Sequence, residues 1–208
     1  TTGVGVYATG GSWGIYTPNA LYAANFSPFT GSHIAYTKNN PVVGDIYCSD
    51  DAWVIDISQT LVHASISNKD KDTTVFGVVR SIKDVMTNIT ENELLSIEDD
   101  GEWSVRLEYQ PYVTHLQENG FVEIMVNSLG EGGINVCAVN GNILNGDYIT
   151  SSIVAGKGMK QDDDLMHNYT VAKALEDVIW DDEIVGEGGC FEQDGYKCKM
   201  IACTYHAG

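Results

Sequence analysis

The stretch "NGNILNGDYITSSIVAGKGMKQDDD", Asn140 to Asp164, decides how this chain is read. It carries two Asn-Gly pairs, a Gly-Lys-Gly, two serines five and six residues before Lys157, and three consecutive aspartates. Asn-Gly pairs mark tight turns, because both residues tolerate positive φ. The residues between them are β-branched and apolar, as strands require. "GINVCAV" and "ILNGDYITSSIV" therefore read as strands meeting at Asn140-Gly141, with a second turn at Asn145-Gly146-Asp147. On this reading the stretch is a hairpin first.

Its chemical readings are weaker. A phosphate-binding loop, G-x-x-x-x-G-K-[ST], fails on Gly156-Lys157. Ser151 stands where the first glycine belongs, and Gly158 where the hydroxyl belongs. A Ser/Lys nucleophilic pair from Ser151 or Ser152 with Lys157 or Lys160 needs a depressed lysine pKa. Asp162, Asp163 and Asp164 act against that. Cysteine nucleophiles need an imidazole at hand, and only Cys203 with His206 or Cys137 with His33 suggest themselves. "EDDGE" (98–102) and "QDDD" (161–164) gather hard oxygen donors of the kind calcium prefers, without the twelve-residue helix-loop-helix spacing. No metal or other cofactor is expected, and no catalytic residue is assigned.

Outward from this stretch the pattern stays β. "GDIYCSD" and "AWVIDIS" read as two strands about an Asp-Asp turn, followed by "TLVHASIS" and "TTVFGVVRSI". "TENELLSI" reads as a short helix after a threonine cap. "GEWSVRLEYQPYV" and "GFVEIMVNS" read as strands joined across Asn119-Gly120. "NYTVAKALEDVIW" fits a helix or a strand equally. The closing "GCFEQDGYKCKMIACTYHAG" reads as a hairpin about Gln193-Asp194-Gly195. At the other end, Gly5-Val6-Tyr7-Ala8-Thr9 recurs nine residues later as Gly14-Ile15-Tyr16-Thr17-Pro18. Such a short repeat suits stacked β-rungs, which need neighbours or other chains to cover them.

Composition narrows the function. The 208 residues carry 29 Asp+Glu against 11 Lys+Arg, a formal net charge of −18. That surface repels nucleic-acid backbones and anionic headgroups. No apolar run reaches the ~20 residues of a membrane span, so no membrane insertion is expected. Five irregularly spaced cysteines suit free buried thiols better than a disulfide framework or a zinc site.

"FTGSHIAY", "VFGVV", the run from "VNSLGEGGINVCAVN" to "YTVAKAL", and the closing "MIACTYHAG" resemble the C-terminal head domain of tail-fibre and spike proteins of phages and large DNA viruses. The resemblance spans about residues 26–208. It implies a virion protein on the extracellular face, a homotrimer whose head terminates a fibre and meets a host-cell receptor or glycan. Some related heads are intramolecular chaperones that trimerise and then cleave themselves off. Their Ser-Asp-Arg-Arg-Leu-Lys-like stretch is absent here, where "YCSDDAW" shares only Ser49-Asp50.

The expected fold is thus mainly β. Residues 1–25 form a glycine-rich β-helical shaft end. Residues 26–208 form a sandwich- or barrel-like head with little helix, in an intertwined homotrimer, with 81–101 as an insertion. The polar excursions supply the candidate contact residues Glu91, Glu93, Asp99, Asp100, Asp162, Asp163 and Asp164. Two alternatives stand beside this reading. One is a self-cleaving chaperone domain. The other is a carbohydrate-binding module using aromatics such as Trp13, Trp53, Trp103 or Tyr112.

Overall fold

The computed structural model describes residues 31–54, 60–83, 95–97, 103–105 and 110–206. The chain is mainly β, built around two closed barrels. The first closes in the order β1 (Ser32–Thr37), β3 (Thr60–Ile66), β2 (Ile46–Val54), β4 (Val75–Lys83) and β7 (Val122–Asn127). Antiparallel pairing of β1 with β7, from Ser32↔Asn127 to Thr37↔Val122, completes the ring. The second ring contains β8 (Leu129–Cys137), β10 (Gly158–Lys160), β9 (Tyr148–Ser151), β11 (Thr170–Ala174) and β13 (Tyr196–His206). It closes through Ala172↔Tyr205 to Ala174↔Cys203, and β12 (Phe191–Gln193) hangs on β13. A separate two-stranded pairing joins β5 (Leu95–Ile97) to β6 (Trp103–Val105). Closure leaves the ring strands no open edge.

The barrels meet along β2 and β4. Successive strand residues point to opposite faces, so Tyr47 and Val79 enter the core of the first barrel while Ile46 and Val78 join the core of the second. All four are at most 1 % exposed. A strand covered on both faces explains the unbroken apolar pairs "IY" and "VV".

Several local expectations change. The Asp50-Asp51 pair does not end a strand: β2 runs through it, and the register against β3 slips between Ser49 and Asp51. The two aspartates occupy a bulge instead, where an extra residue is tolerated without breaking the strand. Asn119-Gly120 does not join two strands. Gln110–Glu118 is a helix, α1, which Pro111 can open because its missing N–H lies in the first turn. Gly120, at φ 67, ends it. Its N–H donates to Gln117 O while Phe121 N–H donates to Leu116 O, the paired bonds of a glycine-terminated helix. Val113 and Leu116 then bury against Tyr36 and Leu61 of the first barrel.

The opening stretch is also rearranged. β8 does not pair with β9; β10 lies between them, parallel to β8 and antiparallel to β9. The true hairpin is β9–β10, turning over Ser152–Lys157. The turn at Asn145-Gly146-Asp147 is present, with Gly146 at φ 98. The 170–174 segment is a strand, and its Val171, Ala172 and Ala174 are buried. Leu95–Ile97, the end of the expected short helix, is also a strand. The final hairpin holds, with Asp194 and Gly195 both at positive φ. The shaft repeat at 1–25 lies outside the described residues.

Gly156, at φ +76, sets the hairpin against the first barrel. A Cβ there would stand 2.5 Å from Asp45 Oδ2. Gly156→Ala combines backbone strain with a collision against a buried carboxylate. Gly120→Ala, at φ +67 with nothing within 4 Å, carries strain alone. Urea denaturation is expected to show a loss of about 1–2 kcal/mol for Gly120→Ala and clearly more for Gly156→Ala. Equal losses would mean that the barrel contact at Gly156 yields freely.

Candidate functional site

Two polar assemblies stand out, one on the surface and one buried between the barrels. The surface assembly is the loop after β10. Gln161, 2 % exposed, anchors it. Its Nε2 donates to Asp163 Oδ1 and to Leu165 O at 2.6 Å, while its Oε1 accepts from Thr170 Oγ1 at 2.7 Å. Asp162 is held by Lys71 Nζ at 2.5 Å and by Asn140 Nδ2 at 2.7 Å. Asp163 accepts from Leu165 N–H and faces His167 Nε2 at 3.0 Å. The Lys71 and Asn140 donors hold the Asp162 carboxyl below the usual range, and the Leu165 N–H does the same for Asp163, aided by His167.

What this bracing leaves outward is Asp164, Leu165 and Met166, all exposed. Beside the loop lies an open groove of about 330 Å³ between Gly146–Tyr148 and Lys160–Asp164. Lys160 and Asp147 pair within it at 2.9 Å. Of the seven sequence-derived contact residues, the structure brings Asp162, Asp163 and Asp164 together on this one loop. Glu91, Glu93, Asp99 and Asp100 lie outside the described residues. No cluster of three or more potential metal ligands occurs among the described residues.

The buried assembly was not visible in the sequence as a unit. Asp45, just before β2, accepts from Lys157 Nζ at 2.5 Å and from Asn135 Nδ2 at 2.7 Å, both on Oδ1. The side chains of Asp45 and Lys157 are each 3 % exposed, and Asn135 is 4 % exposed. Burial pushes the Asp45 carboxyl up, against the lowering influence of Lys157 and Asn135. The Phe191 ring lies 5.6 Å from Lys157 Nζ. Gly44, at φ +90, lets the chain pass Asn135, whose Nδ2 also donates to Val43 O. The legible signal was two glycines, Gly44 and Gly156, each directly before an ionisable residue at the edge of an apolar strand.

The nucleophilic pairs do not assemble. Lys157 is committed to Asp45, and Lys160 to Asp147. Ser152 Oγ sits inside its own turn, bonded to Lys157 O at 2.8 Å and accepting from Cys137 Sγ at 3.2 Å. Ser151 Oγ accepts the Asp72 N–H. All five cysteines are free and buried. Trp53 and Tyr112 do come together, but inside a packed group with His63 and His115. That group closes the α1 end of the first barrel beside Phe121.

No protein-family model matches this chain, and no curated protein or solved structure is found to be similar to it. None of the described helices is long and apolar enough to cross a membrane.

The buried acids make the fold sensitive to base. Burial raises the Cys48 thiol to about 11 and those of Cys198 and Cys203 to about 12. It likewise raises the Tyr47 and Tyr205 phenols to about 12. The folded chain keeps these protons after the unfolded chain has lost them. Stability is therefore full below the thiols' ordinary 9.0 and declines as pH climbs towards these raised values. The urea midpoint should hold steady from about pH 7 to 8.5 and fall measurably by about pH 10.5. A flat profile across that range would mean that these groups are solvated.

Proposed function

We propose that this chain is the head of a trimeric viral fibre or spike, a structural protein that nucleates trimerisation and presents a host-binding surface. The observation that carries the reading is the loop at 161–167. Its carboxylates and backbone are tied down by Gln161, Thr170, Lys71, Asn140 and His167, yet its apex projects Asp164, Leu165 and Met166 into solvent. Bracing removes the ordering cost that a free loop would incur on binding. Negative charge on its rim suits a cationic patch on a receptor, and exposed Leu165 and Met166 suit an apolar centre. Two closed barrels packed against each other form the kind of rigid platform on which recognition loops are carried. The resemblance to virus fibre heads points the same way, and the glycine-rich repeat at residues 1–25 would have its edges covered by two further chains.

The mass in solution tests assembly. Light scattering after gel filtration is expected to give about three times 22.6 kDa. A four-residue insertion between Leu165 and Met166, which keeps the Gln161 and Asp163 bonds to Leu165, is expected to leave that mass and the thermal midpoint nearly unchanged, because both side chains are exposed. A monomer would overturn the fibre-head reading in favour of a free-standing binding module. Loss of folding on insertion would assign the loop a structural role instead.

A further inference from the structure

A buried lysine, a buried carboxyl and a buried primary amide that share one oxygen can react with one another. We propose that Lys157, Asp45 and Asn135 form a self-crosslinking site, in which Lys157 Nζ displaces ammonia from Asn135 Cγ to leave an isopeptide bond between two segments of the second barrel, at its joint with the first.

The geometry supplies each part. Lys157 Nζ and Asn135 Nδ2 lie 2.5 and 2.7 Å from the same Asp45 Oδ1, so amine and amide are held side by side. All three residues are at least 95 % buried. Phe191 stands 5.6 Å from the amine. Enforced proximity of this kind replaces a bimolecular encounter and raises the effective concentration of the reactants by orders of magnitude.

The steps balance without oxidant or cofactor. The Lys157 ammonium first passes a proton to Asp45 across their contact, which exchanges a buried ion pair for a neutral amine and a neutral acid. Burial favours the protonated carboxyl, in line with the raised Asp45 value. The neutral amine attacks Asn135 Cγ, forming the new C–N bond. Asp45 protonates Nδ2 and recovers a proton from Nζ. The Cγ–Nδ2 bond then breaks and the carbonyl re-forms. The ammonia departs neutral, and Asp45 keeps the proton that came from Lys157, so that no unpaired charge is left buried. Asp45 is thus the general acid and base, and Lys157 and Asn135 are the reactants.

The bond would tie β8 to the turn before β10, two neighbours in the second ring joined by only one register pair, Gly158↔Val136. It would lock this short parallel pairing against local opening. The inference is independent of the fibre-head reading, because it rests on three buried side chains and not on assembly or attachment.

Intact-mass spectrometry of the denatured full chain tests it. The expected mass is about 17 Da below that of the sequence, from the loss of one ammonia. Tandem spectra should contain a branched fragment joining the Asn135 and Lys157 peptides. A succinimide at an Asn-Gly pair loses the same mass, so the branched fragment decides. Asp45→Asn keeps the shape without the acid, and Lys157→Arg keeps the charge without the nucleophile. Both are expected to show the full sequence mass. A wild-type chain of full mass would overturn the proposal. So would a loss of about 18 Da with Lys157 joined to Asp45, which would make the carboxyl a reactant. These wild-type outcomes stand even if neither variant folds.

Discussion

The structure turns on one carboxylate. Asp45 belongs to the connection between β1 and β2 in the first barrel, while Lys157 and Asn135 belong to the second. Around it, backbone bonds cross the same joint. Ile46 N–H donates to Gly156 O, Gly156 N–H to Ser67 O, and Asn135 N–H to Gly44 O. An unpaired charge at this depth would be severely destabilising, so the barrels can dock only where Lys157 meets Asp45.

That does not make the ion pair the source of stability. Desolvating two charges offsets most of their attraction, and an apolar replacement of similar shape is often as stable. The driving force is the shared core, in which Ile46 and Val78 of the first barrel pack with Ile134, Val136, Ile149, Val171 and Ile201 of the second. Apolar contact alone has little directional preference. The Asp45 cluster adds the direction, fixing which turn of the second barrel faces the start of β2. Gly44 and Gly156 make the approach sterically open.

Sequence patterning revealed the strand content, the hairpin at Gln193-Asp194-Gly195 and the turn at Asn145-Gly146-Asp147, because each is encoded within a few residues. Features set by distant partners stayed hidden. Tyr112, Val113 and Thr114 favour strand by propensity, yet Val113 and Leu116, three apart, bury one helical face on Tyr36 and Leu61. Tertiary contact outweighed local preference there. Two aspartates inside a strand look like a turn until the partner strand shows that the ladder continues around a bulge. The Asp45–Lys157 contact spans 112 positions, and no local pattern announces it. Lys157 drew attention in the sequence, but as a partner for serines only five and six residues away.

The same contrast separates the two polar assemblies. Asp162 and Asp163 lie on the surface, where donors from Lys71, Asn140 and Leu165 hold their carboxyls ionised and in place. Water screens such pairs, so they contribute little to stability and instead fix the shape of the loop. Asp45 has no such solvent, and burial pushes its carboxyl up while Lys157 and Asn135 pull it down. One residue type therefore serves opposite ends according to depth. Where water reaches, aspartate holds charge ready for a partner. Where water is excluded, it gathers a lysine and an amide on one oxygen and fixes where two barrels meet.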